Sequence, residues 1–146
     1  MKDAPSKTAL DVGCGGGRNS FVLAENGFSV TSIDKNPQSL SQVELLAKKY
    51  DWDITPVHGD LETLSFSETY DFVFSTVVLQ FLSKEGARRV VSQMQEATKL
   101  GGYNLIIVPI SSEDWPCPLN FPGTFQSGEL QKLYQEWDIQ EYNEMF

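Results

Sequence analysis

Ala9-Leu10-Asp11-Val12-Gly13-Cys14-Gly15-Gly16-Gly17-Arg18-Asn19 places a glycine-rich turn between a short apolar run and a helix-like segment. Glycines at such a turn let the backbone bend sharply and approach a ligand with no Cβ in the way. The backbone N–H groups at the start of the following helix then suit an anion, either a pyrophosphate or a carboxylate. Taken alone the loop is also compatible with a tight βα turn that holds nothing. Asp34 closes the next strand-like run twenty-one residues after Gly13. That is where a nucleotide-type fold places the acid that accepts hydrogen bonds from ribose hydroxyls. The loop and the carboxylate in register read as a ligand site.

Working outward, strand-like and helix-like runs alternate at the spacing of successive βα units, which predicts an α/β fold with a mainly parallel sheet. Strands are expected at Thr8–Val12, Phe28–Asp34, Ile54–His58, Tyr70–Ser75 and Tyr103–Ile110. The last is almost continuously apolar, as for a strand covered on both faces. Arg18–Asn26 reads as a helix closed by Gly27, and Asn36-Pro37 as an N-cap followed by proline at the first helical position. Leu40, Val43 and Leu46 mark the buried stripe of that second helix. A third helix is expected from about Lys84 to Lys99, ending at Gly101-Gly102. Leu130, Leu133, Tyr134 and Trp137 share one helical face, and Ile139–Glu144 begins to alternate like a strand.

The 146 residues fit one domain, 1–146, large enough to bury roughly 68–70% of the surface of the unfolded chain. Eleven Lys and Arg stand against twenty Asp and Glu, for a net charge of -9, and between Glu113 and Phe146 only Lys132 is basic. Such a surface repels duplex nucleic acid and anionic membranes, so neither is an expected partner. Met1-Lys2-Asp3-Ala4-Pro5 holds no apolar leader core, and the longest apolar stretch, Phe72 to Leu82, is interrupted by Ser75, Thr76 and Gln80. With only Cys14 and Cys117, a disulfide framework or zinc site is not expected, and a cytoplasmic location with reduced thiols is.

The dinucleotide fingerprint G-x-G-x-x-G/A carries a small residue at its third position for close helix packing. Here that position is Arg18, and the pattern is instead Gly13-x-Gly15-x-Gly17 preceded by Asp11. It resembles motif I of the class I S-adenosylmethionine methyltransferases, which leaves an NAD-linked oxidoreductase as the distant alternative. Gly59-Asp60-Leu61 resembles the segment of those enzymes whose acid accepts from the adenine amino group while the next backbone N–H meets the ring. A loop cap is an equally good reading of Asp60. Tyr70-Asp71-Phe72-Val73-Phe74-Ser75-Thr76 resembles their fourth-strand segment, and Lys99-Leu100-Gly101-Gly102-Tyr103 the turn into the fifth strand.

Gly17-Arg18-Asn19-Ser20, Asp34-Lys35-Asn36, Ser75-Thr76-Val77-Val78-Leu79, Gly101-Gly102-Tyr103-Asn104-Leu105 and Phe125-Gln126-Ser127-Gly128-Glu129-Leu130 together resemble the tellurite-resistance methyltransferase family. The resemblance implies a Rossmann-like three-layer sandwich and S-adenosyl-L-methionine as cofactor, with S-adenosyl-L-homocysteine as product. It implies a small-molecule acceptor, a tellurium or selenium oxyanion. Asp11 belongs to the motif; Gly13, Gly15 and Gly17 would hold the methionine portion, with Arg18 and Asn19 near its carboxylate. Asp34, followed by Lys35, would take the ribose, Asp60 and Leu61 the adenine, and Ser75, Thr76 and Val77 would border the sulfonium.

Methyltransferases of other small molecules share such a cofactor site, and a fragment that binds without turnover remains a further alternative. Members of the family continue past the point matching Asn143-Glu144. An incomplete C-terminal hairpin is therefore expected, with the fifth strand exposed at a sheet edge and a homodimer through that edge.

The remaining candidates are weaker. His58, the only histidine, reads as a structural residue at a strand end. Cys14 reads as packing beneath the turn. Trp115-Pro116-Cys117-Pro118 and Asn120-Phe121-Pro122 lie on the loop after the fifth strand, where ligands bind in parallel α/β sheets. Trp115, Phe121 and Phe125 either wall an acceptor pocket or simply pin that loop. No catalytic residue is assigned from sequence, since alignment of donor and acceptor is the main requirement of methyl transfer.

Overall fold

The computed structural model describes residues Lys7–Met145. The Met1–Pro5 stretch considered above lies outside them. Strands β1 (Thr8–Val12), β2 (Ser29–Asp34), β3 (Ile54–His58), β4 (Tyr70–Thr76) and β5 (Thr98–Ile107) form one parallel sheet in the order β3-β2-β1-β4-β5. Helices α1 (Arg18–Glu25) and α2 (Pro37–Tyr50) are the crossovers from β1 to β2 and from β2 to β3, and α3 (Lys84–Glu96) follows β4. Because crossovers are right-handed and the chain reverses direction across the sheet after β3, α1 and α2 lie on one face and α3 on the other. The result is the parallel α/β fold that the sequence pattern predicts, in the three-layer form that the family resemblance implies.

The second helix starts for a local reason. Asn36 caps α2 by accepting from the N–H groups of Gln38 and Ser39, with Pro37 at the first helical position. Leu40, Val43 and Ala47 are its buried stripe, while Leu46 is only half-buried. Two apolar clusters sandwich the sheet. Ala24 of α1 packs with Ala9, Val30 and Phe74 on one side. On the other, Val90, Val91 and Met94 of α3 pack with Leu10, Val12 and Val73.

Three expectations need correction. The third helix stops at Glu96, not Lys99: Thr98 pairs with Tyr70 and its hydroxyl donates back to the Met94 carbonyl. The Gly101-Gly102 turn lies inside β5, where it accompanies a register shift against Tyr70 and Phe72. Second, β5 is covered on one face only. Asn104 and Ile106 turn inward, while Tyr103, Leu105 and Ile107 are 63%, 44% and 51% exposed on the other face. It pairs with β4 alone among the described residues, so the predicted edge position holds.

Third, the C-terminal segment is less regular than its periodicity suggests. A helix, α4, forms only over Glu129–Leu133, and Ile139–Glu144 is not a strand. Instead the Glu144 carboxylate accepts from the Gly128 N–H and the Ser127 hydroxyl, tying the chain end back to the start of α4. Ile110–Ser111 and Phe125–Gln126 make a separate two-stranded pair, β6 and β7.

The segment leading into α4 is fastened to α3 by Arg88. Its guanidinium donates to both carboxylate oxygens of Glu129, to the carbonyls of Gly123 and Thr124, and lies 4.1 Å from the ring centre of Phe125. Phe125 itself is fully buried in the α3-side cluster. It is thus a core residue and not an acceptor wall. Phe125→Ala is expected to lower stability by about 3–5 kcal/mol in urea unfolding. A loss below 1 kcal/mol would mean that this segment is not part of the cooperative fold.

Candidate functional site

Strand order reverses between β1 and β4, and ligands of open parallel sheets bind in the crevice outside the carboxyl ends at such a point. The glycine turn forms one wall of this crevice. Gly13 has φ +81° and its N–H, like that of Cys14, donates to the Ile33 carbonyl. A Cβ on Gly13 would lie 2.5 Å from a methyl carbon of Val78, so the turn closes directly onto the chain that leaves β4. Gly15 differs. It also has positive φ, +52°, but nothing lies within 4 Å of where its Cβ would be. Its backbone faces open space, with the N–H donating to Asp34 Oδ2 at 2.9 Å. Gly17 is the N-cap of α1 and supplies no side-chain cap, leaving the first turn at Arg18 and Asn19 without one.

Asp34 ends β2 between two turns. Its other oxygen, Oδ1, accepts from the Asn36 N–H at 2.9 Å. An ionised carboxylate has about four acceptor positions, so two backbone donors leave capacity for ligand hydroxyls. Lys35 is exposed, and its carbonyl contacts His58 Nε2 at 2.9 Å. That contact gives the histidine the structural role expected of it. Asp60 is exposed, with Oδ1 accepting from the Glu62 N–H and its carbonyl accepting from Thr63 and Leu64. The loop-cap role is therefore real. The side chain of Leu61 is buried in the core, which leaves only its backbone for a ligand.

The opposite wall is the end of β4. Ser75 is buried and donates to the Val12 carbonyl, locking β4 to β1. Thr76 Oγ1 accepts from Asn19 Nδ2 at 3.1 Å, a bond across the crevice from the first turn of α1. Val77 follows with φ +56° and a half-exposed side chain, its N–H donating to the Ile107 carbonyl. A β-branched residue in left-handed backbone is strained by on the order of 1–3 kcal/mol. The glycines, Asp34, Asn19, Thr76 and Val77 thus border one crevice, with Arg18 exposed at its rim.

Asp11 is placed otherwise. Its carboxylate is 2% exposed and turned beneath the loop, where Oδ2 accepts from the Ser20 hydroxyl at 2.7 Å. The Ser20 and Ser32 hydroxyls are in turn 2.7 Å apart, so β1, α1 and β2 share one buried polar network. Its side chain supports the loop from below instead of lining the crevice. Ser32 escaped the sequence reading and Ser20 was quoted there without a role; the available signal was polar residues at the inward positions of α1 and β2. Val78 was likewise quoted without its contact to Gly13.

Burial pushes the Asp11 carboxyl up from 3.8 to about 6, with the Ser20 hydrogen bond opposing and the Asp34 charge adding to the rise. Burial likewise pushes the Cys14 thiol up to about 12, which keeps it protonated and unreactive at neutral pH. Phe121 stacks edge-on against Phe81 at 5.2 Å, and Trp115 is largely exposed. Among the described residues no three His, Cys, Asp or Glu side chains are grouped to hold a metal ion, and no helix is long and apolar enough to cross a membrane.

The Asp11 shift has a definite sign. A carboxyl that binds its proton more tightly in the folded state contributes stability that falls as pH rises from 3.8 to about 6 and is level above. Replacing it by asparagine removes that contribution. The stability difference between the parent and Asp11→Asn should therefore change across this window, by on the order of 3 kcal/mol for a two-unit gap. Urea unfolding at several pH values measures it, and a flat difference would contradict the buried, ionisable placement.

The family described as tellurite resistance protein TehB matches residues 3–146. A probable S-adenosyl-L-methionine-dependent methyltransferase TehB of Haemophilus influenzae (strain 10810) is 43% identical over 135 residues, covering 92% of this chain and 47% of that protein. Hemagglutinin 1 of Eikenella corrodens is 36% identical over 141 residues, 97% of this chain and 47% of its own. The crystal structure of TehB from Haemophilus influenzae superimposes with a TM-score of 0.92 at 40% identity, over 99% of this chain and 50% of that one. Coclaurine N-methyltransferase, solved with SAH, shares the fold at 18% identity and a TM-score of 0.63, over 70% of this chain and 31% of its own. The chain spans about half the length of the curated relatives it matches. The fold, the glycine turn with its partner Asp34, and a family match over nearly every residue agree: the chain belongs to the TehB family of class I methyltransferases.

Proposed function

We propose that this chain binds S-adenosylmethionine in the β1/β4 crevice and promotes transfer of its methyl group to a small acceptor. Gly15 carries the reading. Its backbone is held in left-handed conformation with open space on the side a Cβ would occupy, and it is tethered to Asp34. The same residues fit the cofactor in kind. Backbone N–H groups at the uncapped start of α1, with Arg18 beside them, match the methionine carboxylate. Asp34 has acceptor capacity for ribose hydroxyls, and Asp60 with the Leu61 backbone stands at the end of β3 for the adenine.

S-adenosylmethionine held there would supply an electrophilic methyl, which an acceptor lone pair would take as the S–C bonding pair returned to sulfur. The chain's own task is to orient and to exclude water. Ser75 fixes β4 against β1, the Asn19–Thr76 bond sets the span of the crevice, and Val77 borders its mouth. The family's description as a tellurite resistance protein supports a tellurium oxyanion as acceptor, and the proposal extends by chemical analogy to a selenium oxyanion.

Titration calorimetry with S-adenosylhomocysteine tests the cofactor site. Asp34→Ala is expected to weaken binding by about 1.5–3 kcal/mol, as for hydrogen bonds to a charged group. Equal affinity in parent and variant would remove Asp34 from the site.

A second copy of this chain is the proposed partner at β5. Its edge, unpaired among the described residues, and the exposed Tyr103, Leu105 and Ile107 row combine the backbone and apolar features that favour strand-to-strand association. Light scattering should give a mass that rises with concentration, and Leu105→Lys should lower it. A concentration-independent monomer would contradict this pairing.

A further inference from the structure

Between β3 and β4 the chain crosses without a helix: residues 59–69 are irregular, where the two preceding crossovers are α1 and α2. One side of α3 supplies the missing support. Ser83, Gly86, Arg89 and Gln93 follow one another at steps of three, three and four, which aligns them along one helix face. Each of them meets the crossing segment. The Glu62 carboxylate accepts from the N–H and the hydroxyl of the N-cap Ser83, and a Cβ on Gly86 would collide with its Oε2. Arg89 donates from Nη2 to the Leu61 carbonyl and from Nη1 to the Leu64 carbonyl, while Gln93 Oε1 accepts from the Phe66 N–H. The planar fork of a guanidinium suits two carbonyls at once, as the point charge of an ammonium does not.

The turn so held has one group left over. The N–H groups of Thr63 and Leu64 return to the Asp60 carbonyl, that of Glu62 to Asp60 Oδ1, and that of Gly59 to the Asp34 carbonyl. Leu61 is 6% exposed, with its side chain in the core and its carbonyl on Arg89, yet among the described residues its N–H meets no acceptor. Backbone N–H groups of buried residues are nearly always paired, so this one points to an acceptor from outside the chain. Its direction is fixed from both sides. The peptide that carries it is pinned at the Asp60 carbonyl by Thr63 and Leu64, and the next peptide is pinned by Arg89. Building on the cofactor reading above, we infer that Arg89 is a positioning residue for adenine. It clamps the turn so that the Leu61 N–H and the Asp60 carboxylate are presented together to one edge of the ring, and it thereby sets the preference for a 6-aminopurine.

Adenine carries an amino donor beside an unprotonated ring nitrogen, which match an acceptor at Asp60 and a donor at Leu61. Hypoxanthine reverses both, with a carbonyl oxygen beside a protonated ring nitrogen, and leaves both protein groups unpaired. The ratio of affinities for S-adenosylhomocysteine and S-inosylhomocysteine therefore reads the geometry of the turn, and a uniform loss of stability does not change it. Titration calorimetry should show the parent chain favouring S-adenosylhomocysteine by about tenfold or more, as for a buried group left unpaired by the analogue. Arg89→Ala should bring that ratio to within about threefold of one, chiefly by loss of S-adenosylhomocysteine affinity. Arg89→Lys, which keeps the charge and the stem but not the fork, should also lower it, and answers the question if the alanine protein does not fold. Arg88→Ala is the control. It removes hydrogen bonds from the same helix on the β7 side and should leave the ratio unchanged.

Folded Arg89 variants that keep the parent's ratio would overturn the inference and leave the adenine reading intact. Equal loss of the ratio in Arg88→Ala would also overturn it, since any loosening of α3 would then suffice. A parent chain that binds S-adenosylhomocysteine without discriminating would overturn the adenine reading and the inference with it. One that binds neither ligand would overturn the cofactor site itself.

Discussion

The contact between Gly13 and Val78 is the constraint on which the site depends. Any side chain at position 13 would occupy the volume of the Val78 methyls, at 2.5 Å from the nearer one. Overpacking of that kind in a closed site costs about 1–3 kcal/mol and shifts the backbone. With glycine there, the β1 turn and the exit from β4 come into contact at the point where the strand order reverses. Ser75 can then reach the Val12 carbonyl, and Asn19 can reach Thr76. Gly13 and Val78 thus meet where the two walls join, while nothing lies within 4 Å of the Cβ position on Gly15.

Beneath the loop the chemistry is of a different kind. Asp11, Ser20 and Ser32 are each at most 2% exposed, and their hydrogen bonds join β1, α1 and β2. A buried network of this sort fixes the geometry above it because each member is satisfied only in one arrangement. Asp34 acts at the rim of the same layer, with one oxygen on the glycine turn and the other on the entry to α2. The loop is therefore held from below by a buried carboxylate and from the side by a half-exposed one.

What was legible in the sequence was largely local. The ends of β1 and β3, the Asn36-Pro37 cap and the pairing of the glycine turn with Asp34 follow from neighbouring residues, and the structure places them there. The apolar run at β5 was legible as a strand but not in its environment. Continuous apolar residues look alike whether one or two faces are covered, and only the sheet order shows that Tyr103, Leu105 and Ile107 face outward. The Arg88 clamp joins residues some 35 to 41 positions apart, and the orientation of Asp11 depends on Ser20 and Ser32. Neither leaves a periodic signal. The shortened α4 has the same origin, since its apolar face finds only partial cover from Leu130 and Tyr134 against the core.

The account places the cofactor on backbone groups of one turn, and amide chemical shifts report on those groups one by one. On titration of the labelled protein with S-adenosylhomocysteine, the amides of Gly13, Gly15 and Gly17, with those of Asp34 and Leu61, should move together and saturate at one stoichiometric site. Those of the β6 and β7 pair should stay in place. Shifts confined to other surfaces, or none at saturating ligand, would contradict the assignment of this crevice.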